Sequence, residues 1–259
     1  MALSAILNKV IQKNMKSIDL KNLSALQVMQ DAPVIPVIVL NDVAHAVPMA
    51  RALVAGGIRM LEVTLRTPQA LACMEAIAKE VPEAVVGAGT VRSAADAKAA
   101  ANAGAVFAVS PGYTSAVGQA CRDLGLPLLP GVATGSEIMM AQEDGFTELK
   151  FFPAMQAGGS ALLKAWSGPF FDINFCPTGG LTLTNAPDFL SLPNVKCVGG
   201  NTNLFNALNQ LNLVAVWVCH KRDDGCSAFN GASFAGNSAA VFGSHRAHGI
   251  TSCSHIRHA

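Results

Sequence analysis

From residue 34 to residue 198, short apolar runs alternate with longer Ala-rich segments, and few folds are compatible with that alternation. Runs of strand length fall at 34–40, 60–65, 84–89, 106–110, 126–130, 147–152, 172–176 and 195–198. Between the first seven lie segments of helical length, for example 44–55, 68–79, 94–103 and 115–124. Gly56-Gly57, Gly104, Gly125 and Gly145 stand where a helix would end in a left-handed residue. The connection at 184–192 is short and has room for a brief helix only. Strands joined by such crossovers pair in parallel, because an antiparallel neighbour needs no more than a tight turn. A (β/α)8 barrel is the economical closure of eight such units. An open doubly wound sheet is the alternative; no GxGxxG follows the first run, which counts against it.

A chain of 259 residues, 51% hydrophobic and 14% charged, can bury one large core. Its net charge of +1 gives no reason to expect nucleic acid or an anionic membrane as partner. No apolar run approaches membrane-spanning length; the run 34–40 has strand length and is interrupted by Pro36. Seven cysteines (73, 121, 176, 197, 219, 226, 253) are scattered without CxxC pairs, as for reduced thiols in a cytosol. Residues 1–32 interleave apolar positions with Lys9, Lys13, Lys16 and Lys21 and lack the compact apolar core of a signal peptide. The first thirty residues also lack the Arg of a transit peptide, so a helical segment covering one end of the domain is expected.

Three regions follow: this segment, a barrel at 33–218, and a low-order tail at 219–259. Leu204, Leu208, Leu211 and Val214 recur at helical spacing, as for an eighth helix. The tail holds five of the six histidines and no sustained period. Cys219, His220 and Cys226 match no zinc-module spacing, so no metal is expected there.

Chemistry concentrates at the ends of the apolar runs. Lys150 lies in Glu148-Leu149-Lys150-Phe151-Phe152-Pro153, and lysine is among the residue types least often buried. Desolvation of an ammonium favours the neutral, nucleophilic amine, which suits a Schiff base with a carbonyl substrate. Glu62 and Arg66 have equal parity in Met60-Leu61-Glu62-Val63-Thr64-Leu65-Arg66, so a strand there turns both to one face. Two structural readings compete: an ion pair between Glu62 and Arg66, and neutralisation of Lys150 by Glu148. The other run ends are small and Gly-rich: Gly87-Ala88-Gly89-Thr90, Ser110-Pro111-Gly112, Pro130-Gly131, Cys176-Pro177-Thr178-Gly179-Gly180 and Gly199-Gly200. Such termini let backbone amides approach a ligand, and barrels bind phosphate after their seventh and eighth strands.

Residues 33–200 resemble the 2-keto-3-deoxy-6-phosphogluconate (KDPG) and 4-hydroxy-2-oxoglutarate (KHG) aldolases. The resemblance rests on ordered motifs: Pro36-Val37-Ile38, Ala55-Gly56-Gly57, Leu61-Glu62-Val63-Thr64-Leu65-Arg66-Thr67, Gly87-Ala88-Gly89-Thr90-Val91 and Ser110-Pro111-Gly112. It continues through Pro130-Gly131-Val132-Ala133-Thr134, Lys150-Phe151-Phe152-Pro153-Ala154, Cys176-Pro177-Thr178-Gly179-Gly180 and Val198-Gly199-Gly200. It implies a cofactor-free class I aldolase on a barrel, usually a homotrimer, acting in the Entner–Doudoroff pathway of the cytoplasm on a phosphorylated keto acid.

By the same resemblance Lys150 is the Schiff-base lysine and Glu62 the general acid/base. Arg66 and Thr90 hold the carboxylate end of pyruvate, Pro111 and Phe152 line the pocket, and Thr178 reads stereochemistry. Gly179, Gly180, Gly199 and Gly200 cradle phosphate. The pattern departs at Asn201, where the family continues Gly-Gly with Ser-Trp and this chain runs Asn201-Thr202-Asn203-Leu204. The serine expected at the phosphate is therefore missing. Two functional rivals follow: another phosphate-binding barrel enzyme with Lys150 as an electrostatic clamp, and an aldolase-like barrel impaired by its altered C-terminus.

Overall fold

A computed structural model describes residues 18–200. The eighth helix expected within 201–218, the tail at 219–259 and the first half of the N-terminal segment lie outside the described residues. A 3₁₀ turn, Leu20–Asn22, and helix α1, Ala25–Gln30, precede the first strand. The strands that follow are β1 Val34–Ile38, β2 Met60–Thr64, β3 Val85–Gly89 and β4 Phe107–Val109. Next come β5 Leu128–Leu129, β6 Gly131–Val132, β7 Glu148–Phe151, β8 Asn174–Pro177 and β9 Val198–Gly200. Between them run α2 Ala46–Ala55, α3 Ala70–Glu80, α4 Ala94–Asn102 and α5 Ser115–Asp123. The later helices are α6 Gly135–Glu143, α7 Gly159–Trp166 and the brief α8 Ala186–Leu190.

Local chemistry sets these boundaries. Ser93, Thr114 and Thr134 accept from the backbone N–H three residues on, satisfying donors that have no partner inside α4, α5 and α6. At α6 the bond is reciprocated by Glu137, which completes a capping box. Gly57, Gly104, Gly125 and Gly145 take φ of +86°, +89°, +65° and +84°, the left-handed values that end α2, α4, α5 and α6.

Every strand pairing is parallel. One sheet has the order β5-β4-β3-β2-β1-β9 and a second the order β6-β7-β8. Single bridges, Phe175 with Val195 and Thr178 with Gly199, connect β8 to the chain leading into and forming β9. The expected fifth strand, 126–130, is instead two short strands either side of Pro130. Proline has no N–H to give a ladder, so the segment changes partner there: β5 pairs with β4 and β6 with β7. The Pro130 carbonyl still accepts from Lys150 N at 2.8 Å.

The two strand faces bury different cores. Leu61, Val63, Val86, Ala88, Ala108 and Leu128 pack with helix residues such as Met74, Ile77, Ala97 and Cys121. The opposite parity, Ile35, Met60, Val85, Phe107, Val109, Leu129, Cys176 and Cys197, packs with Leu23, Val28 and Met29 around α1. At that end Arg59, just before β2, pairs with Asp31, the C-cap of α1, at 2.6 Å. Arg59 Nε also donates to both carboxylate oxygens, at 3.0 and 3.1 Å. The same parity, followed to the C-terminal strand ends, leads to the polar residues described next.

Candidate active site

Among the described residues, few polar or charged side chains are buried, and Glu62, Lys150 and Thr178 are three of them, at 3%, 5% and 7% exposure. All three project from strands or strand ends on the face turned away from the helices. Lys150 Nζ lies 3.5 Å from Glu62 Oε1, although 88 residues separate them in sequence. The phenyl ring of Phe152 lies under the same ammonium, 5.3 Å from Nζ to the ring centroid. This geometry matches neither structural reading. Glu148 accepts from Thr147 and Asn174 instead, and Glu62 is committed to Lys150 rather than to Arg66.

Arg66 does not lie on the strand. β2 ends at Thr64, whose hydroxyl donates to Ile38 O at 2.9 Å, and Arg66 stands exposed in the turn beyond. Its Nε donates to Thr90 Oγ1 at 3.2 Å. Thr90 has φ +62°, a left-handed value that a β-branched residue rarely takes. Strain of this kind, about 1–3 kcal/mol, persists where the surroundings over-determine it and gathers at functional sites. The result is a guanidinium and a hydroxyl held one residue beyond Gly89, against which Glu62 lies.

The remaining sequence-derived residues lie on neighbouring strands and turns. Gly131 is the register partner of Lys150, and a Cβ there would strike the Pro111 carbonyl oxygen at 2.5 Å. Thr178 bridges to Gly199, where a Cβ would come within 3.0 Å of the threonine's Cβ and Cγ2. Gly179 and Gly180 follow at φ +103° and +73°, which turns the chain back over Pro153 and Met155. Gly200 pairs with Pro36 at the centre of β1. Glu62, Lys150 and Gly199 thus lie within strands β2, β7 and β9, and Gly200 ends β9, whereas Arg66, Thr90, Pro111, Phe152, Thr178, Gly179 and Gly180 lie just beyond strand ends.

Two residues escaped the sequence reading. Ser110, 1% exposed, donates to Gly112 O at 2.6 Å and accepts from Gly131 N at 3.4 Å. It ties the Pro111 turn to the strand beside Lys150. Gly89 was read as an opening for a ligand, whereas the space beside it is filled by Glu62. Among the described residues no group of three His, Cys, Asp or Glu stands ready to hold a metal. No described helix is long and apolar enough to cross a membrane.

A carboxylate and an amine in contact beside an aromatic ring, with a guanidinium at the rim, can form an imine and move protons on it. Comparison with known proteins points the same way. Residues 26–221 match the model of the KDPG and KHG aldolase family. The chain belongs to that family. It is 53% identical to the 2-dehydro-3-deoxy-phosphogluconate aldolase of Pseudoalteromonas atlantica over 69% of this chain and 83% of that protein. It is 51% identical to the KHG/KDPG aldolase of Escherichia coli K12, over 69% of this chain and 84% of the other. Among solved structures it is similar to the KDPG aldolase of Legionella pneumophila, with TM-score 0.68 and 42% identity, covering 75% of this chain and 94% of that one. That structure holds pyruvate captured as a covalent carbinolamine.

Proposed function

We propose that this protein is a class I aldolase that reversibly cleaves 2-keto-4-hydroxy acids and releases pyruvate. The observation that carries the reading is the buried contact between Lys150 Nζ and Glu62 Oε1 at 3.5 Å. The neutral amine of Lys150 adds to the C2 carbonyl of the substrate, giving a carbinolamine that loses water to form an iminium. The C3–C4 bond then breaks and its electron pair flows into the iminium, leaving an enamine. In the same step the C4 hydroxyl gives its proton to Glu62 and becomes the carbonyl of the departing aldehyde. The enamine takes a proton back at C3, and water releases pyruvate and the free lysine. The iminium is the electron sink, so the reaction requires no metal or other cofactor.

In this reading Arg66 and Thr90 hold the substrate carboxylate, the planar guanidinium matching its two oxygens. Pro111 and Phe152 wall the pyruvyl end, and Thr178 faces the C4 centre. Gly179, Gly180, Gly199 and Gly200 offer backbone N–H groups to a terminal phosphate. The substrates are 2-keto-3-deoxy-6-phosphogluconate, giving glyceraldehyde 3-phosphate, and 4-hydroxy-2-oxoglutarate, giving glyoxylate. The two sheets close as a (β/α)8 barrel; the support is the β1–β9 ladder, the bridges from β8 toward β9, and the bond from Lys150 N to Pro130. The protein works in the cytoplasm as a homotrimer, as the family resemblance implies.

The test is pyruvate release from each substrate by the full chain and by Lys150→Ala. Release that disappears in Lys150→Ala supports the reading. Equal release from both proteins would remove Lys150 from the reaction, as nucleophile and as electrostatic clamp alike.

A further inference from the structure

Three interior-facing positions near the functional side chains are glycine, and each void is filled by a neighbour. At Gly87 the place of a side chain is taken by the Phe107 ring, at Gly199 by Thr178, and at Gly89 by the carboxylate arm of Glu62. A Cβ on Gly89 would overlap Glu62 Oε1 outright and would stand 2.5 Å from its Cγ and 2.7 Å from its Cδ. All three of its nearest neighbours belong to that one side chain. Gly89 is buried strand backbone at the end of β3, in register with Thr64 of β2, and it is not among the residues with positive φ. Its backbone therefore makes no demand for glycine; the demand comes from Glu62.

We propose that Gly89 is the positioning residue for Glu62: by having no side chain it lets the carboxylate lie flat on β3 and reach Lys150. Glu62 projects from β2, and its path to Lys150 on β7 runs over the neighbouring strand β3. Any side chain at 89 displaces the carboxylate from that path and opens the 3.5 Å contact. The backbone of Lys150 is anchored elsewhere, by its register with Gly131 and Cys176, and its Nζ keeps the Phe152 ring. The nucleophile is therefore retained while the proton carrier is misplaced.

The inference rests on the Schiff-base reading above, and the experiment separates the two. Gly89→Ala, Glu62→Gln, the double variant and the unaltered full chain are compared for cleavage rate and for the pyruvate adduct trapped by borohydride. Gly89→Ala is expected to form the adduct on Lys150 slowly but completely, as is expected of Glu62→Gln, while cleavage falls by roughly 10²-fold to 10³-fold, within the span of a positioned general acid/base. The double variant is expected to cleave no more slowly than Glu62→Gln, because the two changes remove the same function. Cleavage by Gly89→Ala within twofold of the unaltered protein, or losses that multiply in the double variant, would overturn the proposal. Absence of the adduct in the unaltered protein would instead defeat the Schiff-base reading. Should Gly89→Ala fail to fold, Glu62→Ala/Gly89→Ala decides. A melting temperature equal to that of Glu62→Ala assigns the clash to Glu62, and a lower one overturns the assignment.

Discussion

Replacing both members of the buried pair by methionine should cost far less stability than replacing either one. At 3.5 Å, with the effective dielectric constant of about 20 suited to protein sites, the attraction between Lys150 and Glu62 is about 5 kcal/mol. Both groups are almost wholly removed from water, at 5% and 3% exposure, and desolvation costs several kcal/mol for each ion. The two contributions nearly cancel, so the intact pair adds little net stability. Glu62→Met or Lys150→Met alone leaves its partner buried without a counter-charge, which should destabilise the fold by about 3–5 kcal/mol. Methionine is unbranched and can follow the path of either original side chain, so the double variant should be within about 1 kcal/mol of the unaltered protein or above it. Urea unfolding followed by circular dichroism, with the slope checked for constancy, gives the three differences and their coupling. A double variant that loses the sum of the single losses, or single losses below about 1 kcal/mol, would refute this account of the pair.

Three further outcomes follow from the geometry. Arg66→Lys should raise KM for the substrate with little change in kcat, because an ammonium cannot present the two parallel donors of the guanidinium; steady-state kinetics with an unchanged KM would make Arg66 structural. Asp31→Ala should destabilise the fold by about 1.5–3 kcal/mol in urea titration, since it removes several charged hydrogen bonds to Arg59 from a part-buried site. Hydrogen bonds from Tyr113 and Ser115 hold the Asp144 carboxyl below its ordinary value of 3.8. A depressed carboxylate contributes stability above that value and loses it as pH falls through the folded-state value. The difference in melting temperature between the unaltered protein and Asp144→Asn should therefore be constant near neutrality and shrink below about pH 3.8. A difference independent of pH would exclude the linkage.

Much of this architecture could be read from the chain because its signals are periodic. Strand-length runs alternating with glycine-terminated helical stretches dictate parallel pairing, and a lysine in an apolar run reveals itself by its cost. Details that depend on three-dimensional neighbours were harder to read. Pro130 divides the fifth strand because its missing N–H sits where the ladder changes partner, which depends on what lies on either side. Arg66 has the parity of Glu62 but lies beyond the end of β2, so its approach to Thr90 depends on the turn and not on the strand. The glycine at 89 looked like an opening for a ligand, since sequence alone does not say which side chain of another strand occupies a void. Ser110 is hard to read for the same reason: its value lies in bonding the Pro111 turn and the first residue of β6 at once.

The central claim is that Lys150 is the nucleophile, and mass spectrometry after borohydride reduction in the presence of pyruvate tests it most directly. The account expects irreversible inactivation and one reduced pyruvyl group per chain, mapped by peptide sequencing to Lys150. An unmodified Lys150, or adducts confined to exposed lysines such as Lys98 and Lys164, would contradict it.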